Sequence, residues 1–204
     1  MPKTKSSTTI DDRGITAADG SRKALIERTA LTLFVSHGVE ATTTKMIASE
    51  AGISEGALYY HFKNKEEIAS SMFFAIHLRL AELIRAIGAR GATLEVKADA
   101  IVSAFCATAD DDWPLFQYHL LYTHRFLPGP QASDNPVQAI EDIITDAVKV
   151  GDLPNCDVAL VAAMALGAVS QVALHKVFKR ITTPLSDHKT PLQDAVRAVL
   201  RAQR

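Results

Sequence analysis

From Ser21 onward, apolar side chains return at helical spacing and keep that period almost to the end of the chain. Leu25, Ile26, Thr29, Ala30, Leu33 and Phe34 recur three and four residues apart, as one face of a helix requires, and Gly38 stops the run. Thr43 or Thr44 is placed to cap a short second helix that buries Ile47, Ala48 and Ala51 and ends at Gly52. Ser54 caps a third, which buries Leu58 and Phe62, and Ile53 just before it is positioned as a hydrophobic staple. Asn64, with Glu67 three residues on, forms a capping box for a fourth helix. That helix carries Ile68, Met72, Ile76, Leu80, Leu83 and Ile87 inward and runs to about Gly88.

The second half repeats this grammar. Leu94 to about Ala109 predicts a fifth helix with Ile101, Val102 and Phe105 inward, and Pro114, behind Asp112 and Trp113, opens a sixth at its first position. Asn135-Pro136 opens a seventh, with Val137, Ile140, Ile143, Ile144 and Ala147 on one face and Gly151 past its end. Asp157 to about Lys179 makes a long eighth, and Thr190-Pro191 opens a ninth with Leu192, Val196 and Val199 on one side. No run alternates apolar and polar residues as a strand does, so the predicted fold is all-α with about nine helices. Residues 1–20 are polar and read as a flexible tail, 21–68 as a three-helix unit and 69–204 as a helical body.

Composition narrows the class. The 204 residues are 48% hydrophobic and 22% charged, the balance of a soluble globular protein. The longest apolar candidate, Val158 to Val177, is interrupted by Ser170, Gln171, His175 and Lys176, so no membrane span is expected. The opening MPKTKSSTTIDDRG has no apolar segment and does not read as a secretory signal. Cys106 and Cys156 have neither metal nor disulfide spacing and read as reduced thiols of a cytoplasmic protein. A net charge of −1 gives no general attraction to nucleic acid, so any such case rests on local distribution.

That distribution centres on GISEGALYYHFKNKEEI, Gly52 to Ile68. The second and third helices, joined by a tight glycine turn, have the spacing of a helix-turn-helix, whose second helix enters the major groove N-terminus first. With Leu58 and Phe62 buried, Glu55, Gly56, Ala57, Tyr60 and His61 are left on the opposite face. Gly56 and Ala57 are small enough for close approach to base edges, and Ala57 suits a thymine methyl. Tyr60 and His61 carry polar tips with the reach for phosphate or base, and Lys63 and Lys65 add positive charge. Thr43 and Thr44 supply hydroxyl and backbone N–H groups at a helix N-terminus, a natural phosphate seat.

The stretch TTTKMIASEAGISEGALYYHFKNKEEI closely resembles the DNA-binding domain of TetR-family transcriptional regulators, over roughly residues 21–68. The resemblance rests on the Ala48, Ala51-Gly52-Ile53-Ser54 turn, the Leu58-Tyr59-Tyr60-His61-Phe62 core and the Asn64-Lys65-Glu66 exit occurring together. It implies an Ω-shaped homodimer of nine or so helices. Lys45, Glu55, Gly56, Ala57, Tyr60 and His61 would face the bases, Thr44 and Lys65 would hold phosphates, and Tyr59 would sit between core and DNA backbone. Ser54, the cap, and Thr43 complete the expected DNA-binding set.

The resemblance also implies a small-molecule pocket within helices four to eight and dimerisation through the last two. For the pocket, Trp113, Phe116, His119 and Tyr122 share a helix face, with Phe73, His77, Phe105 and Cys106 as an opposing wall. Such a cavity suits a flat, largely apolar effector. For the dimer, the small-residue stripe Val161, Ala165, Ala168 and Val172 is expected to join Leu192, Val196 and Val199. No nucleophile–base spacing, glycine-rich phosphate loop or metal cluster is present, so neither an enzyme, a metal site nor a cofactor is expected. The sequence reading is a homodimeric repressor of a palindromic operator, released by a small, largely apolar effector. The alternative is an architectural or activating DNA-binding regulator with no effector.

Overall fold

The computed structural model describes residues 21–126 and 135–203; the expected tail at 1–20 lies outside them. The described residues form nine α-helices and one 3₁₀ turn, with no strand among them. In chain order the helices are α1 (Arg22–His37), α2 (Thr44–Glu50), α3 (Glu55–His61), α4 (Lys65–Gly88) and α5 (Leu94–Asp111). They continue with α6 (Trp113–Phe126), α7 (Pro136–Lys149), α8 (Val158–Val177) and α9 (Lys189–Arg201), and the 3₁₀ turn Leu185–His188 precedes α9.

Side-chain caps set most of the helix starts. Ser21, Thr43, Ser54, Asn64, Thr93, Asn135 and Asp157 each accept a hydrogen bond from the backbone N–H three residues on, satisfying one of the donors a helix leaves unpaired. At α4 the box closes one residue early: the Glu67 carboxylate accepts from the Lys63 N–H at 2.6 Å. Gly52 turns the chain between α2 and α3 at φ +65°, a conformation an L side chain rarely adopts.

Two helix starts differ from expectation. Asp112 caps α6 by accepting from the Leu115 N–H at 3.3 Å, so Trp113 is the first helical residue and Pro114 the second. α9 begins at Lys189, because the 3₁₀ turn feeds directly into it and leaves Thr190 and Pro191 inside its first turn. Leu25 and Val137, expected inward, are exposed at the edges of their helices' buried faces.

Two apolar cores hold the molecule. The first gathers Ile26, Leu31 and Phe34 of α1, Ile47 of α2, Leu58 of α3, and Ile68 to Leu80 along α4. It takes in Leu115 and Tyr118 of α6 as well, so it reaches past residue 68 into the body. The second joins α5, α7, α8, α9, the end of α4 and Phe116 of α6. α4 therefore runs from one core to the other. By length and composition α8 is apolar enough to cross a membrane, against the reading of its polar interruptions. In the fold its Val161, Ala162, Ala165, Val169 and Ala173 form one side of the second core.

Candidate nucleic-acid interface

α3 is anchored from one side only. Leu58 is fully buried and Phe62, at its C-terminal cap, nearly so, while Tyr60 on the far face is 86% exposed. Glu55 and Gly56 are exposed at its N-terminal end, with Ala57 and His61 half-buried beside them. Tyr60 and His61 pack edge to face at 5.1 Å, which holds both rings on the outer surface. On α2, Lys45 and Met46 are exposed, as is the cap residue Thr43. Tyr59 bridges the two helices: its hydroxyl lies 3.1 Å from the Thr44 hydroxyl, and the ring is 50% exposed. The residues expected to face DNA thus lie across one outer surface of α2 and α3, apart from Lys65.

Lys65 corrects the phosphate expectation. Its ammonium donates to the carbonyls of Val39 at 2.8 Å, Glu40 at 2.9 Å and Thr42 at 3.0 Å, engaging all three of its donors within the chain. The segment it grips joins α1 to α2 and leads into the cap at Thr43. α6 holds the same segment from the other side. The Tyr122 hydroxyl accepts from the Val39 N–H at 3.1 Å, and Arg125 forks between Glu40 and Glu66. Arg125 is therefore a two-carboxylate clamp. Its charge and hydrogen bond hold the Glu40 carboxyl below its ordinary range.

Further contacts tie α6 to the N-terminal core. Arg28 of α1 makes a bidentate pair with Asp112 at 3.1 and 2.7 Å. The fully buried Tyr118 donates to the Ala69 carbonyl at 2.6 Å, and burial pushes its phenol well above the usual range. Sequence periodicity alone offered no signal for these links, because each joins residues 49 to 85 positions apart.

Residues 26–72 match the family model described as bacterial regulatory proteins, tetR family. This segment is a TetR-family DNA-binding domain. A repressor of this kind, KstR2 from Mycolicibacterium smegmatis, is 42% identical over 52 residues, covering 26% of this chain and 25% of that protein. The regulator SrpR from Pseudomonas putida is 30% identical over 145 residues, 67% of this chain and 65% of that protein. The chain therefore spans less than two thirds of these relatives' lengths. Among solved structures, FadR from Bacillus subtilis in complex with stearoyl-CoA superposes with a TM-score of 0.70 at 20% identity, covering 84% of this chain and 96% of that one. At that identity the likeness shows a shared fold.

The expected effector residues do not form one cavity. Phe73, His77, His119 and Tyr122 belong to the α4–α6 contact: Phe73 stacks on His77 at 5.4 Å and on His119 at 5.0 Å. The His77 Nδ1 and His119 Nε2 atoms lie 3.1 Å apart, one donating to the other, while the buried His77 Nε2 has no partner. Burial lowers both imidazoles, His119 to about 3, with His77 adding to that shift, so the pair is neutral. No group of three or more metal-ligating side chains occurs among the described residues. Cys106 and Phe116 are closed into the second core, and Trp113 packs against it with the Lys176 ammonium 5.2 Å from its ring centre. Only Phe105 of the expected set lines the apolar cavity between α5, α7, α8 and α9.

The expected dimer stripe lies largely inside the chain. Val161, Ala165, Leu192 and Val196 are buried within the chain, and Ala168, Val172 and Val199 are half-buried. α8 is apolar on nearly every side, so its period does not select an inner face. The exposed row runs instead through Leu160 (55%), Met164 (39%), Gly167 and, beyond the helix end, Phe178 (62%).

Proposed function

We propose that the protein is a transcriptional repressor that binds a palindromic operator as a homodimer and is released by a small, largely apolar effector. The observation that carries this reading is the outer face of α3: Tyr60, His61, Glu55 and Gly56 stand clear of a helix fixed by Leu58 and Phe62. A helix used only for packing has no call for a tyrosine 86% exposed at the centre of its outer face. α3 enters the major groove by its N-terminal end, with Lys45 and Thr43 of α2 flanking it on the phosphates. KstR2 is named a repressor, which supports the direction of control.

The exposed α8 row, with Ala195 and Ala198 of α9, is the face on which a second copy packs. Two copies so joined place their α3 helices about one DNA turn apart, ~34–36 Å. Regulation then follows from changing that spacing. To move operator occupancy from 99:1 to 1:99, the effector must prefer the released form roughly 10⁴-fold, about 5.5 kcal/mol. The protein works in the cytoplasm, where its DNA is.

Fluorescence anisotropy with DNA from upstream of its own gene tests the reading. Saturable binding by two chains per site, weakened at least tenfold by Tyr60→Ala, is the expected outcome. Equal affinity for the native protein and for Tyr60→Ala is the result that removes α3 as the reading helix.

A further inference from the structure

The N-terminal unit carries six basic side chains, Arg22, Lys23, Arg28, Lys45, Lys63 and Lys65. Two of them have partners within the chain: three backbone carbonyls hold Lys65, and the Asp112 carboxylate holds Arg28. Arg22, Lys23, Lys45 and Lys63 are exposed, and among the described residues their side chains enter no hydrogen bond or ion pair. Two of these four meet at one place. Lys23 stands three residues before Ile26 and seven before Ala30, at the edge of the buried face of α1. From there its ammonium lies 5.7 Å from the ring centre of Phe62, the C-terminal cap of α3. The ring is buried and attracts the cation, which fixes the lysine beside the end of that helix. Lys63 is the next residue in the chain. The Glu67 carboxylate beside it is engaged by the Lys63 N–H at 2.6 Å, where it caps α4.

This end of α3 has a defined place on DNA. The seven residues of α3 span ~10 Å at a rise of ~1.5 Å each. The major groove is ~8.5 Å deep. With the N-terminal end of the helix at the base edges, its C-terminal end emerges at the rim, where a strand of phosphates runs. We propose that Lys23 and Lys63 bind the DNA backbone at this rim, so that α1 supplies a phosphate contact from outside the helix-turn-helix. This deepens the reading of α3 above and rests on it. A lysine already fixed over a ring loses less freedom on meeting a phosphate than a loose one. Lys65, the lysine expected in that role from sequence, points instead to carbonyls within the chain.

Fluorescence anisotropy titrations of the full chain at several salt concentrations test the contact. The probes are a duplex from upstream of its own gene and a duplex of unrelated sequence. Lys23→Met keeps the aliphatic stem over Phe62 and removes the charge. The slope of log affinity against log salt is expected to shrink by ~0.9 in Lys23→Met, by ~0.9 in Lys63→Met and by ~1.8 in the double variant. The loss is expected on both duplexes, because a phosphate contact carries no sequence information. Lys23→Arg keeps the native slope, and each variant melts as the native protein does. A native slope in Lys23→Met overturns the α1 contact, whether or not its melting midpoint falls. A slope lost in Lys65→Met and kept in Lys23→Met overturns it as well, and returns the role to Lys65. Tyr60→Ala in the same titrations separates this contact from the reading of α3. If it weakens binding to the upstream duplex while Lys23→Met keeps the native slope, the α1 contact alone fails. If it binds that duplex as the native protein does, the reading of α3 fails and the rim contact with it.

Discussion

Lys65→Met separates two roles for one lysine. As a phosphate contact, Lys65 would add to operator affinity and contribute little to folding. In the structure its ammonium instead donates to three carbonyls at 2.8 to 3.0 Å, two of them belonging to the buried residues Val39 and Thr42. A hydrogen bond to a charged group is worth ~1.5–3 kcal/mol in a buried setting. Because Lys65 is half-buried, water replaces part of what is lost, and a total near ~2–3 kcal/mol is expected for the three together. Methionine keeps the aliphatic stem, so packing changes little. At ~2–4 °C per kcal/mol for a chain of this size, the midpoint should fall by about 4–12 °C. Urea unfolding and thermal melts measure the loss, and amide exchange should show the 39–42 segment opening first. The salt dependence of operator binding should change by less than about half a unit, since a phosphate contact is worth a slope of ~0.9. Unchanged stability together with a slope reduced by ~0.9 would refute the clamp and restore the phosphate role.

Three further substitutions or conditions probe separate parts of the account. His119 is neutral with its pKa lowered to about 3, so it contributes stability that is full above the unfolded value of ~6.5 and is lost as pH falls from there toward 3. Between pH 7.5 and 5.5 that loss is on the order of 1–1.5 kcal/mol by urea unfolding, and His77, lowered in the same direction, adds to it; His119→Phe should flatten the profile. Gly56→Ala meets no clash, its Cβ lying in ordinary contact at 3.9 Å from the Ser54 hydroxyl, so the free protein should gain ~0.5–1 kcal/mol in a melt while operator affinity falls. Met164→Asp places a charge in the exposed α8 row and should shift the protein to monomer in analytical ultracentrifugation, with the helical signal in circular dichroism unchanged.

Much of this architecture was legible in the sequence, because helix starts are local chemistry. Thr43, Ser54, Asn64 and Asn135 cap where their side chains predict, and Leu58 and Phe62 are buried as the period requires. What periodicity does not carry is which element a buried face meets. Phe73 and His119 look like pocket residues on their helix wheels, yet α6 packs on α4 and closes them against each other. Ile101 and Val169 look like ordinary core, yet they line unfilled space, because a cavity is set by four helices together. α8 offered an apolar face in every direction, so only its neighbours α7 and α9 determine that Val161 and Ala165 turn inward and Leu160 and Met164 outward. Lys65 was misassigned for a related reason: its three carbonyl partners lie 23 to 26 residues away, beyond any local pattern.

The central claim is that the outer face of α3 reads DNA. Nuclease footprinting over the DNA upstream of the gene tests it most directly, with the native protein beside Tyr60→Ala, whose 86% exposed side chain contributes little to folding. The account predicts one protected, two-fold symmetric site with the native protein, and at least a tenfold higher concentration of Tyr60→Ala to reach the same protection. An identical footprint at the same concentration from both proteins would contradict it.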